Sequence, residues 1–227
     1  YEIFTGAKND IDPGTYELNT SMDYRSLVHN MYDPDARRRA EEGLVLVTIP
    51  EGYTVRQTIA LLAEKGVNTE EALTEAAQTG DFDYDFIDNE SEDLSRLEGF
   101  LFPDTYEFFH KEDAVSALDR LLSNFQTRVS GDLLTDIENS QYSLREIVTL
   151  ASIIEKEAIG DDEERANISS VFYNRLSGDN SEIGTALQSD ATIYYALHIA
   201  GMDDTQFSTD LDSPYNTYKY GGLPVGP

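Results

Sequence analysis

Residues 143–158, SLREIVTLASIIEKEA, read as one amphipathic helix, and the rest of the architecture is laid out on either side of it. Ser143 with Glu146 three residues on makes a capping box, in which each side chain takes up a backbone N–H that the first turn leaves without a partner. Leu144, Ile147, Val148, Ala151 and Ile154 follow the helical apolar period, and Gly160 is placed to stop the helix. At ~100° per residue, Glu155 projects within ~20° of Leu144 and close to Val148 and Ala151, in the middle of the apolar arc. Lys156 and Glu157 fall outside its centre. A carboxylate on that arc points at the core or into a cleft. Removed from water, it is either paired with a cation or holds its proton with a raised pKa, the property a general acid needs near neutral pH. Two readings of Glu155 stand at this point, a structural acid paired with a buried arginine and a catalytic acid.

Outward from this helix the chain alternates short strand-like and longer helical segments. Upstream, LVLVTIP (44–50) reads as a strand. It meets EGYTVRQTIALLAEKGV (51–67), where Thr54 and Gln57 form a second capping box and Gly66 closes the helix. NTEEALTEAAQTG (68–80) supplies another short helix, EGFLFPDTYEFF (98–109) follows, and helices are expected near 114–129 and 132–138. Downstream, EERANISSVFYNRL (163–176) and DATIYYALHIA (190–200) read as helices. The succession predicts an α+β fold, mainly helical in its second half. At the start, DPGTYEL (12–18) reads as a turn, SMDYRSLVHNMY (21–32) as a helix-like stretch and DPDARRRAEEG (33–43) as a charged connector. The segment 81–93, DFDYDFIDNESED, carries acids and no base. Its alternating Asp81, Asp83 and Asp85 invite a calcium-loop reading, but the glycine and terminal glutamate of an EF-hand are missing and aromatics interleave the acids, which favours a polar surface loop.

Composition narrows the setting. With Lys+Arg 16 against Asp+Glu 44, the net charge of -28 argues against nucleic acid or an anionic membrane surface as a direct partner. No cysteine is present, so disulfides and thiolate metal sites are excluded, in keeping with an extracytoplasmic life. His29, His110 and His198 are scattered without metal-ligand spacing. No apolar run approaches the ~18 residues of a membrane span. The chain begins at Tyr1 without methionine and ends at Pro227 in mid-motif, which reads as a part of a longer protein.

Three polar clusters follow Glu155. Asn174 and Arg175 end one helix; Gln188, Ser189 and Asp190 precede the next; Tyr215, Asn216, Thr217 and Tyr218 come before a glycine and proline turn. Tyrosine rings stack on pyranose faces, and amides hydrogen-bond hydroxyl and acetamido groups, so these residue types suit a sugar. Taken singly, each has an ordinary reading: a C-cap for Asn174 and Arg175, an N-cap for Asp190, amphipathic packing for the tyrosines.

In order along the chain, VTIPEGYTVRQTIALLAEKGV, LEGFLFPDTYEF, LASIIEKEA, ERANISSVFYNRL, LQSDATIYYAL and SPYNTYKYGGLPVGP resemble the endolytic murein transglycosylases of the MltG or YceG-like type, over residues 44–227. The resemblance implies a small LysM-like βααβ subdomain that binds N-acetylglucosamine polymers, followed by a mainly helical catalytic domain with short strands. The divisions it suggests are an N-terminal β/α segment and connector at 1–43, a LysM-like region at 44–108 and a C-terminally truncated catalytic domain at 109–227. It makes the first acid of the IIEKE string, Glu155, the catalytic residue. Substrate-binding candidates are Asn174, Arg175, Gln188, Asp190, Tyr215, Asn216 and Tyr218; no cofactor and no metal is expected. It also implies peptidoglycan glycan strands as substrate, peptidoglycan synthases of elongation and division as partners, and a parent protein anchored at the extracytoplasmic face of the cell membrane.

The implied chemistry needs one acid. Protonated Glu155 would donate to the glycosidic oxygen between N-acetylmuramic acid and N-acetylglucosamine, then as carboxylate take the proton from the muramoyl C6 hydroxyl as that oxygen attacks C1, leaving a 1,6-anhydro end. Gln188 and Tyr218 are candidates to aid the oxocarbenium-like transition state. Two rivals remain open: a glycan-binding scaffold in which Glu155 is paired with Arg175, and a hydrolytic muramidase with Asp190 as second carboxylate.

Overall fold

The computed structural model describes residues 43–179 and 181–227. The turn and helix-like stretch, and all but the last residue of the connector expected at 33–43, lie outside the described residues, as does His29. Strand β1 (Leu44–Thr48) pairs antiparallel with β2 (Thr105–Phe109), Val47 opposite Tyr106 and Val45 opposite Phe108. Between them run α1 (Val55–Glu64), α2 (Glu70–Thr79) and a 3₁₀ turn at Leu94–Leu97. After β2 come α3 (Ala114–Arg128), α4 (Asp132–Glu138), α5 (Leu144–Glu157), α6 (Asp162–Leu176) and α7 (Asp190–Ile199), then a short 3₁₀ turn at Asp204–Gln206. The α+β class and the strand–helix–helix–strand order of the first unit are therefore observed.

Both expected capping boxes form. Thr54 and Gln57 close the start of α1, and Ser143 and Glu146 that of α5, each taking up backbone donors that would otherwise face water or nothing. The continuous apolar string of β1 is half-buried by strand alternation: Val47 is 1% exposed, whereas Leu46 is 63% exposed on the other face of the two-stranded sheet. The sheet lays Val47, Tyr106 and Phe108 on α1, α2 and α3, in a core that takes in Ile59, Leu62, Leu73, Leu118, Leu121 and Leu122. Each such fully buried leucine or isoleucine contributes on the order of 2 kcal/mol from its removal from water.

The 81–86 run obeys the same alternation. Asp81, Asp83 and Asp85 are exposed, Phe82 is buried, and Tyr84 and Phe86 are half-buried. Phe86 packs on Phe100 and Phe125 at 5.1 and 5.0 Å, and the Tyr84 hydroxyl donates to Asp119 at 2.9 Å. The aromatics thus nail an acidic strip onto the core. Buried Arg96 holds its carbonyls, donating to Gly80, Asp88 and Ser91. Among the described residues, no three His, Asp or Glu side chains are grouped to hold a metal ion. No helix among them is long and apolar enough to cross a membrane.

A second, smaller core joins Leu150 and Ile153 of α5 to Phe172 of α6 and to Leu187. Helix α5 serves both cores, because Leu144 and Val148 on another of its faces pack against the first. One helix therefore lies along the junction of two hydrophobic units, with its C-terminal turn at the edge of the seam.

Candidate active site

The last turn of α5 carries two carboxylates aimed in different directions. Glu155 is exposed, not buried, which corrects the expectation that its position on the apolar arc takes it out of water. The physical reason is that the arc is not covered along its whole length. Leu144 and Val148 meet the first core, but at Ala151 and Glu155, further along, the helix has left it, and Ala151 is exposed as well. Nor does Arg175 pair with it. That guanidinium donates to the carbonyl of Leu187 and lies 5.9 Å over the Phe172 ring.

What Glu155 faces is backbone. Its Oε1 sits 2.8 Å from where a Cβ on Gly52 would be, and Lys156 Nζ is equally close to that point and 3.4 Å from the Gly52 carbonyl. Gly52 has φ +71°, in the left-handed region that favours glycine. The turn between β1 and α1 thus passes close to the carboxylate only because it has no side chain there. The site lies at the seam: first unit on one side, α5 on the other, an ammonium beside the acid.

Glu157, two residues on, points toward α7. Its Oε1 accepts a 2.6 Å hydrogen bond from Ser189 Oγ. Ser189 belongs to a stitched bend. Its N–H donates to Thr217 Oγ1 at 3.0 Å, the Gln188 N–H donates to the Thr217 carbonyl at 3.1 Å, and the Thr192 hydroxyl lies 3.0 Å from that of Thr217. Gln188 is held at φ +52°, a conformation that costs energy in a residue with a side chain and collects at functional sites. Beside it the Tyr218 hydroxyl donates to Asp190 Oδ1 at 2.7 Å. That bond to a carboxylate, followed by burial, pushes the tyrosine up to about 12, so Tyr218 is a neutral donor.

The structure thus brings Gln188, Asp190 and Tyr218 together, with Arg175 fixing the chain just before them at Leu187. The remaining candidates lie elsewhere. Asn174 is exposed on α6. Asn216 is fully buried, and its amide is spent on its own loop: Nδ2 donates to Thr209 and Leu211 carbonyls at 2.9 and 2.7 Å, while Oδ1 accepts from the Tyr218 and Lys219 amides at 2.9 and 3.3 Å. Tyr215 is buried, edge-on to Tyr195 with centroids 4.8 Å apart.

Three residues at the seam escape a residue-by-residue reading of the sequence. Gly52 lies in a strand-to-helix turn that many residues would fit, and Glu157 falls off the apolar arc. Glu98 is a buried acid inside LEGFLFP, accepting from the Val55 amide at 2.9 Å and from the Tyr195 hydroxyl at 3.4 Å. A lone carboxylate amid apolar neighbours was its only signal.

Comparison with known proteins places the chain as a whole. The YceG-like family matches residues 1–227. The chain is 33% identical over 250 residues to an endolytic murein transglycosylase of Streptococcus pneumoniae (serotype 2, strain D39), covering 100% of this chain and 44% of that protein. It is 28% identical over 240 residues to one of Bacillus subtilis strain 168, covering 100% of this chain and 62% of that one. It therefore spans between 44% and 62% of the length of these relatives. A crystal structure of a yceG-like protein from Listeria monocytogenes superimposes with a TM-score of 0.63 at 28% identity, covering 100% of this chain and 74% of that one. With its whole length matched and the same fold found in a relative, the chain belongs to the YceG-like family.

Proposed function

We propose that this chain cleaves the bond between N-acetylmuramic acid and N-acetylglucosamine within peptidoglycan glycan strands, as a lytic transglycosylase with Glu155 as single general acid and base. The observation that carries the reading is an exposed carboxylate at the seam of two units, set against bare glycine backbone beside the Lys156 ammonium. Support comes from the relatives named endolytic murein transglycosylase.

In this account a glycan lies along the seam and covers Glu155, so the water that now reaches the acid is displaced by substrate. Glu155 donates its proton to the bridging oxygen as the C1–O bond breaks. The muramoyl O6 then attacks C1, and its proton passes to the carboxylate, which restores the acid. No water enters. Tyr218, fixed by Asp190 as a neutral donor, and Gln188 beside it would hydrogen-bond the sugars, and Arg175 would hold the bend on which Gln188 sits. The strand–helix–helix–strand unit is a LysM-like glycan grip on this reading. Synthase partners and an anchor at the extracytoplasmic membrane face belong to the same proposal.

A hydrolytic variant has one observation in its favour, the exposed Asp190 carboxylate, which could serve as a second acid. Its engagement with Tyr218 argues for a positioning role instead. The test is Glu155→Gln and Asp190→Asn assayed side by side on uncrosslinked glycan strands. The proposal expects the first to abolish turnover while glycan binding persists, and the second to lower turnover without changing the product. Full activity in Glu155→Gln would end the assignment.

A further inference from the structure

The buried Glu98 carboxyl lies outside the chemistry above, yet four parts of the chain converge on it. Its Oε1 takes the N–H of Val55, the first residue of α1 and one of the donors a helix start leaves unpaired. Its other oxygen takes the hydroxyl of Tyr195 from the middle of α7, 97 residues away in sequence. Tyr195 leans edge-on against Tyr215 of the C-terminal segment. The next residue, Gly99, is pressed by α5 and the chain end, since a Cβ there would meet Val148 Cγ1 at 2.7 Å and Pro227 Cγ at 2.8 Å. Two arginines, Arg56 on α1 and Arg145 on α5, act on the carboxyl through space, and Arg145 is itself fixed to the Ser95 carbonyl at 2.8 Å.

The consequence concerns Glu155. Val55 is three residues beyond Gly52, the backbone that walls the Glu155 carboxylate. Whatever anchors Val55 sets how close that wall stands, and the same carboxyl reaches across the seam to α7, whose first turn carries Asp190. We propose that Glu98 is a positioning residue, whose carboxyl ties the 50–55 turn to α7 and so fixes the gap between the two units in which the substrate is held. This rests on the reading of Glu155 as the catalytic acid. It adds a role for a residue that touches neither the reacting atoms nor the sugar.

The test pairs a structural readout with a kinetic one. Hydrogen exchange at the Val55 amide and along 51–55 is measured in wild type, Glu98→Ala, Glu98→Gln and Tyr195→Phe, together with kcat and KM on uncrosslinked glycan strands across pH 5 to 9. In Glu98→Ala, exchange at Val55 should rise ~10-fold or more while α3 stays protected, and kcat should fall ~10-fold with KM moving less than ~3-fold, because a misplaced wall costs the transition state more than binding. Glu98→Gln keeps the acceptor for Val55 and should restore exchange close to wild type. It should also remove an inflection near pH 7 from the kcat profile, which a purely structural role would not do. Should Glu98→Ala not fold, Tyr195→Phe, which cuts the tie to α7, should lower kcat with KM little changed, and Glu98→Gln should still flatten the profile near pH 7. Unchanged exchange at Val55 in Glu98→Ala, loosened exchange there with kcat intact in an active enzyme, or wild-type kcat in Tyr195→Phe overturns the proposal. If wild type itself cleaves nothing, the reading of Glu155 falls, whereas the tie is still decided by the exchange data.

Discussion

At the scale of single residues, exposure gives two site candidates opposite expected outcomes on substitution. Glu155 is open to solvent and makes no ion pair with Arg175, so Glu155→Gln should leave the melting temperature within the range of an ordinary surface change, about 0.5 kcal/mol, while turnover falls by ~10² or more. Asn216 predicts the opposite pattern. Its fully buried amide closes four hydrogen bonds within its own loop, and Asn216→Ala would strand carbonyl and amide groups at about 1 to 3 kcal/mol each. A melt of that variant should shift down by several degrees or more whether or not glycan is present.

Glu98 gives a prediction with a definite sign. Burial, opposed by the bond from Val55, raises it from 4.5 to about 7. The folded protein thus binds this proton more tightly than the unfolded chain does. Its contribution to stability is complete below about pH 4.5 and declines as pH rises through about 7. A chain of net charge -28 also loses stability to self-repulsion over the same range, so the quantity to follow is the difference between wild type and Glu98→Gln, melted in parallel at fixed ionic strength. That difference should turn against wild type between pH 5 and 8. A flat difference would show that Glu98 titrates as an ordinary carboxyl.

Among elements, the turn from β1 into α1 is the most exacting. Gly52→Ala asks a left-handed residue to carry a Cβ and sets that Cβ 2.8 Å from both Glu155 Oε1 and Lys156 Nζ. The conformational part should cost on the order of 1 kcal/mol. Turnover should suffer out of proportion, since the side chain displaced is the acid itself; activity equal to wild type would place the chemistry elsewhere. Helices and capping boxes were legible because their signals are local: Ser143 with Glu146 and Thr54 with Gln57 name their own partners. The position of Glu155 on α5 was legible too, but not its exposure. A helical wheel assumes that the covering surface runs the length of the helix, and here the first core stops at Val148. The pairings of Glu98 with Val55 and Tyr195 span 43 and 97 residues and leave no periodic trace. The bend at 187–190 is similar. Its meaning lies in Thr217, which nothing near it in sequence announces.

In the whole molecule, two hydrophobic units share one helix, with a carboxylate at the edge of their seam and a bend of polar residues beyond it. On this frame we propose that one acid, without an activated water, breaks the glycan. The most direct measurement is mass spectrometry of the ends released from nascent, uncrosslinked glycan strands by wild type and by Glu155→Gln. Wild type should release 1,6-anhydro ends and the variant none, as single-acid cleavage requires. Reducing ends heavier by one water, or anhydro ends produced equally by Glu155→Gln, would contradict it.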